Sequence, residues 1–274
     1  MSIIMSNYTV KIWGCRGSIC QTRDDMRVYG LNTSCISLET PEEIIIVDGG
    51  SGIALFDEYY YESLCNKKIK IILTHYHYDH ILGLPFTKFL YDKNVDVEIY
   101  GATYNGESCV EIFSKIYCSP FFPLELEDLT NVSFINIDRS ICDKFSKVKI
   151  DYIDLNHKGG AIGYKLKFLD KVICIITDHE YRSDTNKDLL KDFIKKSDIL
   201  IMDSYFINED FISGWGHSTI EECVDLVNEL DIGLGIPFHH NTSYNDDFLK
   251  NFELKIREKN KNIIFAKDGM TFGF

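Results

Sequence analysis

The segment Thr74-His75-Tyr76-His77-Tyr78-Asp79-His80 brings three imidazoles and a carboxylate into one short stretch. Imidazole nitrogens and carboxylate oxygens are ligands for zinc, iron and manganese. Alternating residues of an extended backbone point to the same side, so His75 and His77 can face one ion. Asp79 and His80 extend the cluster beyond simple alternation, which a chance run of surface histidines does not require. The chemistry such a cluster offers is metal binding and, through the metal, activation of water.

The apolar run Ile69–Leu73 lies directly ahead of the cluster and reads as the buried strand that delivers it. One strand-end cluster cannot fill two metal shells, so further ligands must come from other elements. The chain has eight histidines, at 75, 77, 80, 157, 179, 217, 239 and 240. His157 follows the strand Lys147–Leu155, just before Gly159-Gly160, and His239 follows the strand Gly233–Phe238. Asp178 ends the apolar strand Val172–Ile176. All three share the address of the first cluster, the exit of a buried strand, where loops build sites on a rigid scaffold.

The remaining pattern supplies that scaffold. Strands read at Tyr8–Trp13, Cys35–Glu39, Glu43–Val47, Val95–Tyr100, Val132–Ile137, Ala161–Phe168, Ile199–Asp203 and Ile263–Ala266. Helices read at Ile53–Ser63, Glu107–Tyr117, Thr185–Lys195, Thr219–Leu230 and Asp246–Lys259. Another helical stretch follows His80, with Pro85 limiting its regularity. In the Thr219 helix, Ile220, Cys223, Val224, Val227 and Leu230 recur on one face, and Ser218 with Glu221 reads as a capping box. Two β-rich halves joined by amphipathic helices predict an α/β fold of one domain. Its form is a four-layer αββα sandwich, two mixed sheets flanked by helices.

Composition narrows the class. The chain has 274 residues, 45% hydrophobic and 26% charged, as in a globular domain with a sizeable core. No apolar run reaches the roughly 18 residues of a membrane span. The start MSIIMSNYTVKIWG does not read as a signal peptide. The nine cysteines are scattered without a C-x-x-C pair, which predicts a reduced, cytoplasmic protein. A net charge of −13 makes long nucleic acid an improbable partner, since phosphate backbones call for clustered cations. Lys67, Lys68 and Lys70 read as a solvated surface. A small anionic substrate stays compatible, because two divalent ions would add about four positive charges locally.

The H-x-H-x-D-H motif at His75–His80 resembles the metallo-β-lactamase fold superfamily, and the likeness runs through nearly the whole chain. The opening Trp13-Gly14-Cys15-Arg16-Gly17-Ser18 and Asn32-Thr33-Ser34-Cys35, the turn Asp48-Gly49-Gly50-Ser51-Gly52, and Gly216-His217-Ser218-Thr219 are similar to its phosphodiesterase branch. That branch includes RNase Z and the phosphoribosyl cyclic phosphate phosphodiesterases. Cys20, Lys158 and Asn241-Thr242 depart from the branch's usual residues, and none removes a ligand.

The resemblance implies that His75, His77 and His157 hold one metal, that Asp79, His80 and His239 hold the second, and that Asp178 bridges them. Asp48 would orient a ligand imidazole. Two divalent ions are implied, zinc first, with manganese or iron as alternatives. His217 would protonate the leaving group while Asp203 holds its ring, and Asp79 completes the catalytic set. The implied reaction is hydrolysis of a small phosphodiester, such as a cyclic nucleotide or cyclic phosphate, by a metal-activated water. Two other readings stay open: hydrolysis of a thioester or lactone, and a non-hydrolytic diiron redox or oxygen-binding protein. No membrane partner is implied, and a homodimer is compatible. His179 and His240 are unassigned: either is able to approach substrate, with a solvated loop residue the preferred reading for His179.

Overall fold

Short apolar, β-branched runs become strands, and a computed structural model of the protein gathers them into two mixed sheets. The structure describes residues 8–64, 67–138, 141 and 144–274. Residues 1–7 of the amino-terminal stretch, together with Cys65 and Cys142, lie outside the described residues. The strands are β1 (Thr9–Gly14), β2 (Cys35–Glu39), β3 (Glu43–Val47), β4 (Lys68–Ile72), β5 (Asp96–Gly101) and β6 (Val132–Asn136). They continue as β7 (Lys149–Leu155), β8 (Ala161–Phe168), β9 (Lys171–Ile176), β10 (Ile199–Asp203), β11 (Leu234–Phe238) and β12 (Thr271–Gly273). The helices are α1 (Ile53–Tyr60), α2 (Tyr78–Ile81), α3 (Cys109–Ser114), α4 (Lys187–Ile194), α5 (Ile220–Glu229) and α6 (Asp246–Arg257).

The chain divides into two compact units, each built from separate segments. Met1–Gly14, Ser34–Ser140 and Gly269–Phe274 form one; Cys15–Thr33 and Ile141–Asp268 form the other. The first unit holds the sheet β12-β1-β2-β3-β4-β5-β6. Its β12-to-β3 part is antiparallel and its β3-to-β6 part parallel. All of β3, the central strand where the antiparallel and parallel parts meet, is buried. Ile44, Ile46, Ile69, Ile71, Val97 and Ile99 pack there with Trp13, Phe56 and Phe113. Full burial of each such side chain contributes about 1.5–3 kcal/mol relative to exposure.

The second unit holds the sheet β11-β10-β9-β8-β7, parallel from β11 to β9 and antiparallel from β9 to β7. Helix α5 lays Ile220, Cys223, Leu226 and Val227 into a core with Leu200, Met202 and Phe265. In both units the parallel strands end in loops that carry the polar residues of interest, as ligands in open α/β sheets usually sit outside the carboxyl ends of strands.

Several expectations are corrected. Ile263–Ala266 is not a strand: it bridges β11 at Gly235 and donates from Ala266 N to the Pro237 carbonyl, but Pro237 has no N–H to return, whereas Thr271–Gly273, short and glycine-ended, pairs with β1. The helical stretch after His80 breaks after α2 into 3₁₀ turns at Leu84–Phe86 and Lys88–Tyr91, with Pro85 inside the first. The capping box of α5 is Thr219 with Glu222, one residue later than read. Ser218 is occupied elsewhere, donating its hydroxyl to the His179 carbonyl. Lys70 is buried rather than solvated and pairs with Glu43 at 2.9 Å, since an ammonium without water needs a counter-charge. Among the described residues no helix is long and apolar enough to cross a membrane.

Candidate metal centre

In the first unit, β3 and β4 are parallel neighbours, so the residues just past their ends lie side by side. Asp48 follows β3 with φ +62°, a left-handed conformation that turns its carboxylate toward the segment after β4. That carboxylate accepts from Thr74 N at 2.8 Å, Ser34 Oγ at 3.0 Å and His80 Nδ1 at 2.7 Å. With Nδ1 committed as the donor, the lone pair of His80 is on Nε2, the state a metal ligand requires. His75 lies 4.4 Å from His77 and 4.2 Å from His80 between ring centroids. Asp79 Oδ2 is 3.5 Å from His80 Nε2. Tyr76, between the first two histidines, turns inward, donating to the Ala102 carbonyl and packing on Phe113, whereas Tyr78 is exposed. Phe121 is exposed and Phe122 packs on Tyr117.

In the second unit, Asp178 stands between two imidazoles. Its Oδ2 is 3.6 Å from His157 Nε2, and its Oδ1 is 3.3 Å from His239 Nδ1. Asp178 and His239 also leave their strands in left-handed conformations, φ +45° and +63°. His157 donates Nδ1–H to the Gly216 carbonyl at 2.8 Å, which again presents the Nε2 lone pair. Glycine is required at 216: its φ is +83°, and a Cβ there would sit 2.4 Å from His157 Nδ1.

The same unit places His217 against Asp203. Nδ1 of His217 is 2.8 Å from Asp203 Oδ2, and both side chains are almost wholly buried. Asp203 also accepts from His179 N at 2.8 Å and Tyr205 N at 3.0 Å, which fix the orientation of its carboxylate. The ring of His217 lies 5.4 Å from that of His157 and 5.1 Å from that of His239. Three contributors were not singled out from the sequence. Glu180 accepts from Gly214 N and Gly216 N at 2.8 and 2.9 Å, holding the loop that carries His217. Tyr205 stacks on His217 at 4.7 Å, and Thr74 links Asp48 to the histidine segment. A buried carboxylate after a ligand, and a tyrosine two residues after the partner of His217, were the available signals.

The reading of His179 as a solvated residue is corrected. His179 is buried and accepts from Asn156 N through Nδ1; burial pushes its pKa down to about 4. His240 is fully buried, donates Nε2–H to the Ala266 carbonyl and lies against Tyr29 and Phe265. Burial, with Arg16 adding to it, lowers its pKa to about 3. Its ring is thus held inside the fold rather than at an exposed surface.

The donor sets fit divalent metal: only imidazole nitrogens and carboxylate oxygens, mostly buried, with His80 and His157 oriented by hydrogen bonds at the opposite ring nitrogen. Residues 63–240, more than half the chain, match the family model of the β-lactamase superfamily domain. The chain belongs to the metallo-β-lactamase superfamily. It is similar to a ribonuclease Z of Thermococcus kodakarensis, 24% identical over 282 residues that cover 88% of this chain and 87% of that protein. The crystal structure of YhfI from Bacillus subtilis aligns with a TM-score of 0.74 at 19% identity, covering 97% of this chain and 99% of the other. Zn²⁺-bound PqqB from Methylobacterium extorquens aligns at 0.75 and 16% identity, covering 97% and 100%. These likenesses establish the metallo-β-lactamase fold, α/β with two mixed sheets and helices. For this superfamily member the His/Asp clusters suggest a dinuclear metal site.

Proposed function

We propose that this superfamily member is a metal-dependent phosphodiesterase whose two ligand sets serve one dinuclear centre. His75, His77, His157 and Asp178 would hold one ion; Asp79, His80, Asp178 and His239 would hold the other. Two such ions, zinc in the first instance and manganese or iron as alternatives, supply Lewis acidity and a nucleophile from water at neutral pH. The observation that carries the reading is the His217–Asp203 pair at 2.8 Å, set against the rings of His157 and His239. Phosphodiesters have poor leaving groups that need a proton as the bond breaks. Asp203 takes Nδ1–H of His217, so the proton on Nε2 is the one His217 has to give. Asp48 fixes His80 and the Gly216 carbonyl fixes His157, so neither ring rotates as charge develops.

A small phosphodiester remains the first substrate class, in keeping with the charge of −13. The relative from Thermococcus kodakarensis bears the name ribonuclease Z, which weakens the argument against long nucleic acid. Net charge does not describe a local binding face, and RNA is therefore the second substrate class. Bis(p-nitrophenyl) phosphate with Zn²⁺ or Mn²⁺ tests the reaction type. Turnover well above that of a His75→Ala/His77→Ala control supports it. Esterase or thioesterase turnover indifferent to His217→Ala would instead favour the thioester reading, and visible iron bands without hydrolysis the redox one.

A further inference from the structure

We propose that Ser18 and Tyr205 form a hydroxyl pair that reads a hydroxyl next to the leaving oxygen of the substrate, as on a ribose. The inference rests on the phosphodiesterase reading and adds a chemical class to its leaving group. The loop after Arg16 is built close against the second unit's histidines. Arg16 is fully buried and donates to the carbonyls of Gly30 at 2.7 Å and Tyr244 at 2.7 Å, anchoring the loop. Gly17 N donates to the His240 carbonyl at 3.0 Å. A Cβ on Gly17 would lie 2.5 Å from His239 Cδ2 and 2.9 Å from Tyr205 Cδ2, so only glycine brings the chain this near.

The next residue, Ser18, is exposed and has φ +62°, a conformation that favours glycine or asparagine over serine. Its Oγ lies 3.3 Å from the Tyr205 hydroxyl. The Tyr205 ring is in contact with His217 at 4.7 Å and His239 at 5.9 Å, and its backbone N–H donates to the carboxylate that holds His217. An exposed serine in a left-handed conformation, bonded to a phenol that stacks on His217, sets two hydroxyls beside the candidate proton donor.

The chemistry of the pair selects its partner. Serine and tyrosine hydroxyls are neutral, and each both donates and accepts. Charged phosphoryl oxygens are better served by cations, whereas a neutral hydroxyl pair matches a neutral hydroxyl. With His217 as the proton donor to the departing oxygen, the Tyr205 ring stacked on it at 4.7 Å makes a group on the neighbouring carbon the partner that the pair would meet. A vicinal hydroxyl of a sugar-like leaving group has that relation.

The test compares adenosine 3′,5′-cyclic monophosphate with its 2′-deoxy analogue, which differ by one hydroxyl. Binding of each to the Zn²⁺-loaded full chain is measured by calorimetry, alongside bis(p-nitrophenyl) phosphate turnover. The ribonucleotide should bind about tenfold more tightly, the worth of one well-placed hydrogen bond. Tyr205→Phe and Ser18→Ala should each cut that ratio to below about threefold. Because the readout is a ratio between two ligands, a general loss of folded protein cancels. Ser18→Gly, which suits the positive φ and removes the hydroxyl, should behave as Ser18→Ala does. Equal affinities in the unaltered protein, no binding of either nucleotide, or a preference that survives all three substitutions overturns the proposal. Such a result with bis(p-nitrophenyl) phosphate still turned over leaves the phosphodiesterase reading standing, whereas absent turnover overturns both.

Discussion

At the residue scale, the site depends on which ring nitrogen carries the proton. Asp48 imposes that choice on His80 at 2.7 Å. Asp48→Ala should therefore weaken metal binding about 10- to 100-fold, read by competition with a chromophoric chelator. Unchanged affinity would remove its orienting role. His217 acts on the leaving group, so His217→Ala should depend on the substrate. For an alkyl phosphodiester the rate should fall about 10²- to 10⁴-fold, and for a p-nitrophenyl ester far less, since that group departs without a proton. Equal losses on both would show that His217 is structural. The ligand types and their strand-end addresses were legible in the sequence because imidazoles and carboxylates cluster after apolar runs. The left-handed backbones of Asp48, Asp178 and His239 were not, because none is a glycine. Tyr205 and Glu180 were also hidden: their roles rest on contacts with distant loops.

At the element scale, runs such as Glu43–Val47 and Ile199–Asp203 were read to the residue, since each is a buried strand with an apolar middle that a single charged residue, Glu43 or Asp203, bounds at one end. Ile263–Ala266 is as apolar and lies along β11, with Ile264 N and Ala266 N donating to the carbonyls of Gly235 and Pro237. Pro237, however, has no N–H to complete the ladder, a break the apolar run itself does not show. The capping box slipped by one for a similar reason: Ser218 and Thr219 are both competent caps, and the contact of Ser218 with His179 decides between them. Thr219→Ala should cost about 1 kcal/mol in urea denaturation, while Ser218→Ala should leave the cap intact. Gly216 connects an element to the site. Gly216→Ala forces a Cβ toward His157 Nδ1 at a φ of +83°, and should lower stability by about 1–3 kcal/mol and reduce the metal bound per chain. A stable variant with full metal content would show that the loop adapts.

At the scale of the whole molecule, metal binding is linked to folding. Ions that bind the native chain and not the unfolded one stabilise it by about 2.7 kcal/mol at a hundredfold excess over Kd. Chelation should thus lower the melting temperature, and Zn²⁺ should restore it; a melting curve indifferent to chelator would argue against a built metal site. The charge of −13 sets what reaches the site only on average, so it weighs against long nucleic acid without deciding the substrate class. The central claim is metal-dependent phosphodiester hydrolysis, and steady-state turnover of bis(p-nitrophenyl) phosphate addresses it most directly. The account predicts turnover that requires added Zn²⁺ or Mn²⁺ and disappears in the His75→Ala/His77→Ala variant. Turnover no greater than that variant's, with metal bound to the unaltered chain, would contradict it.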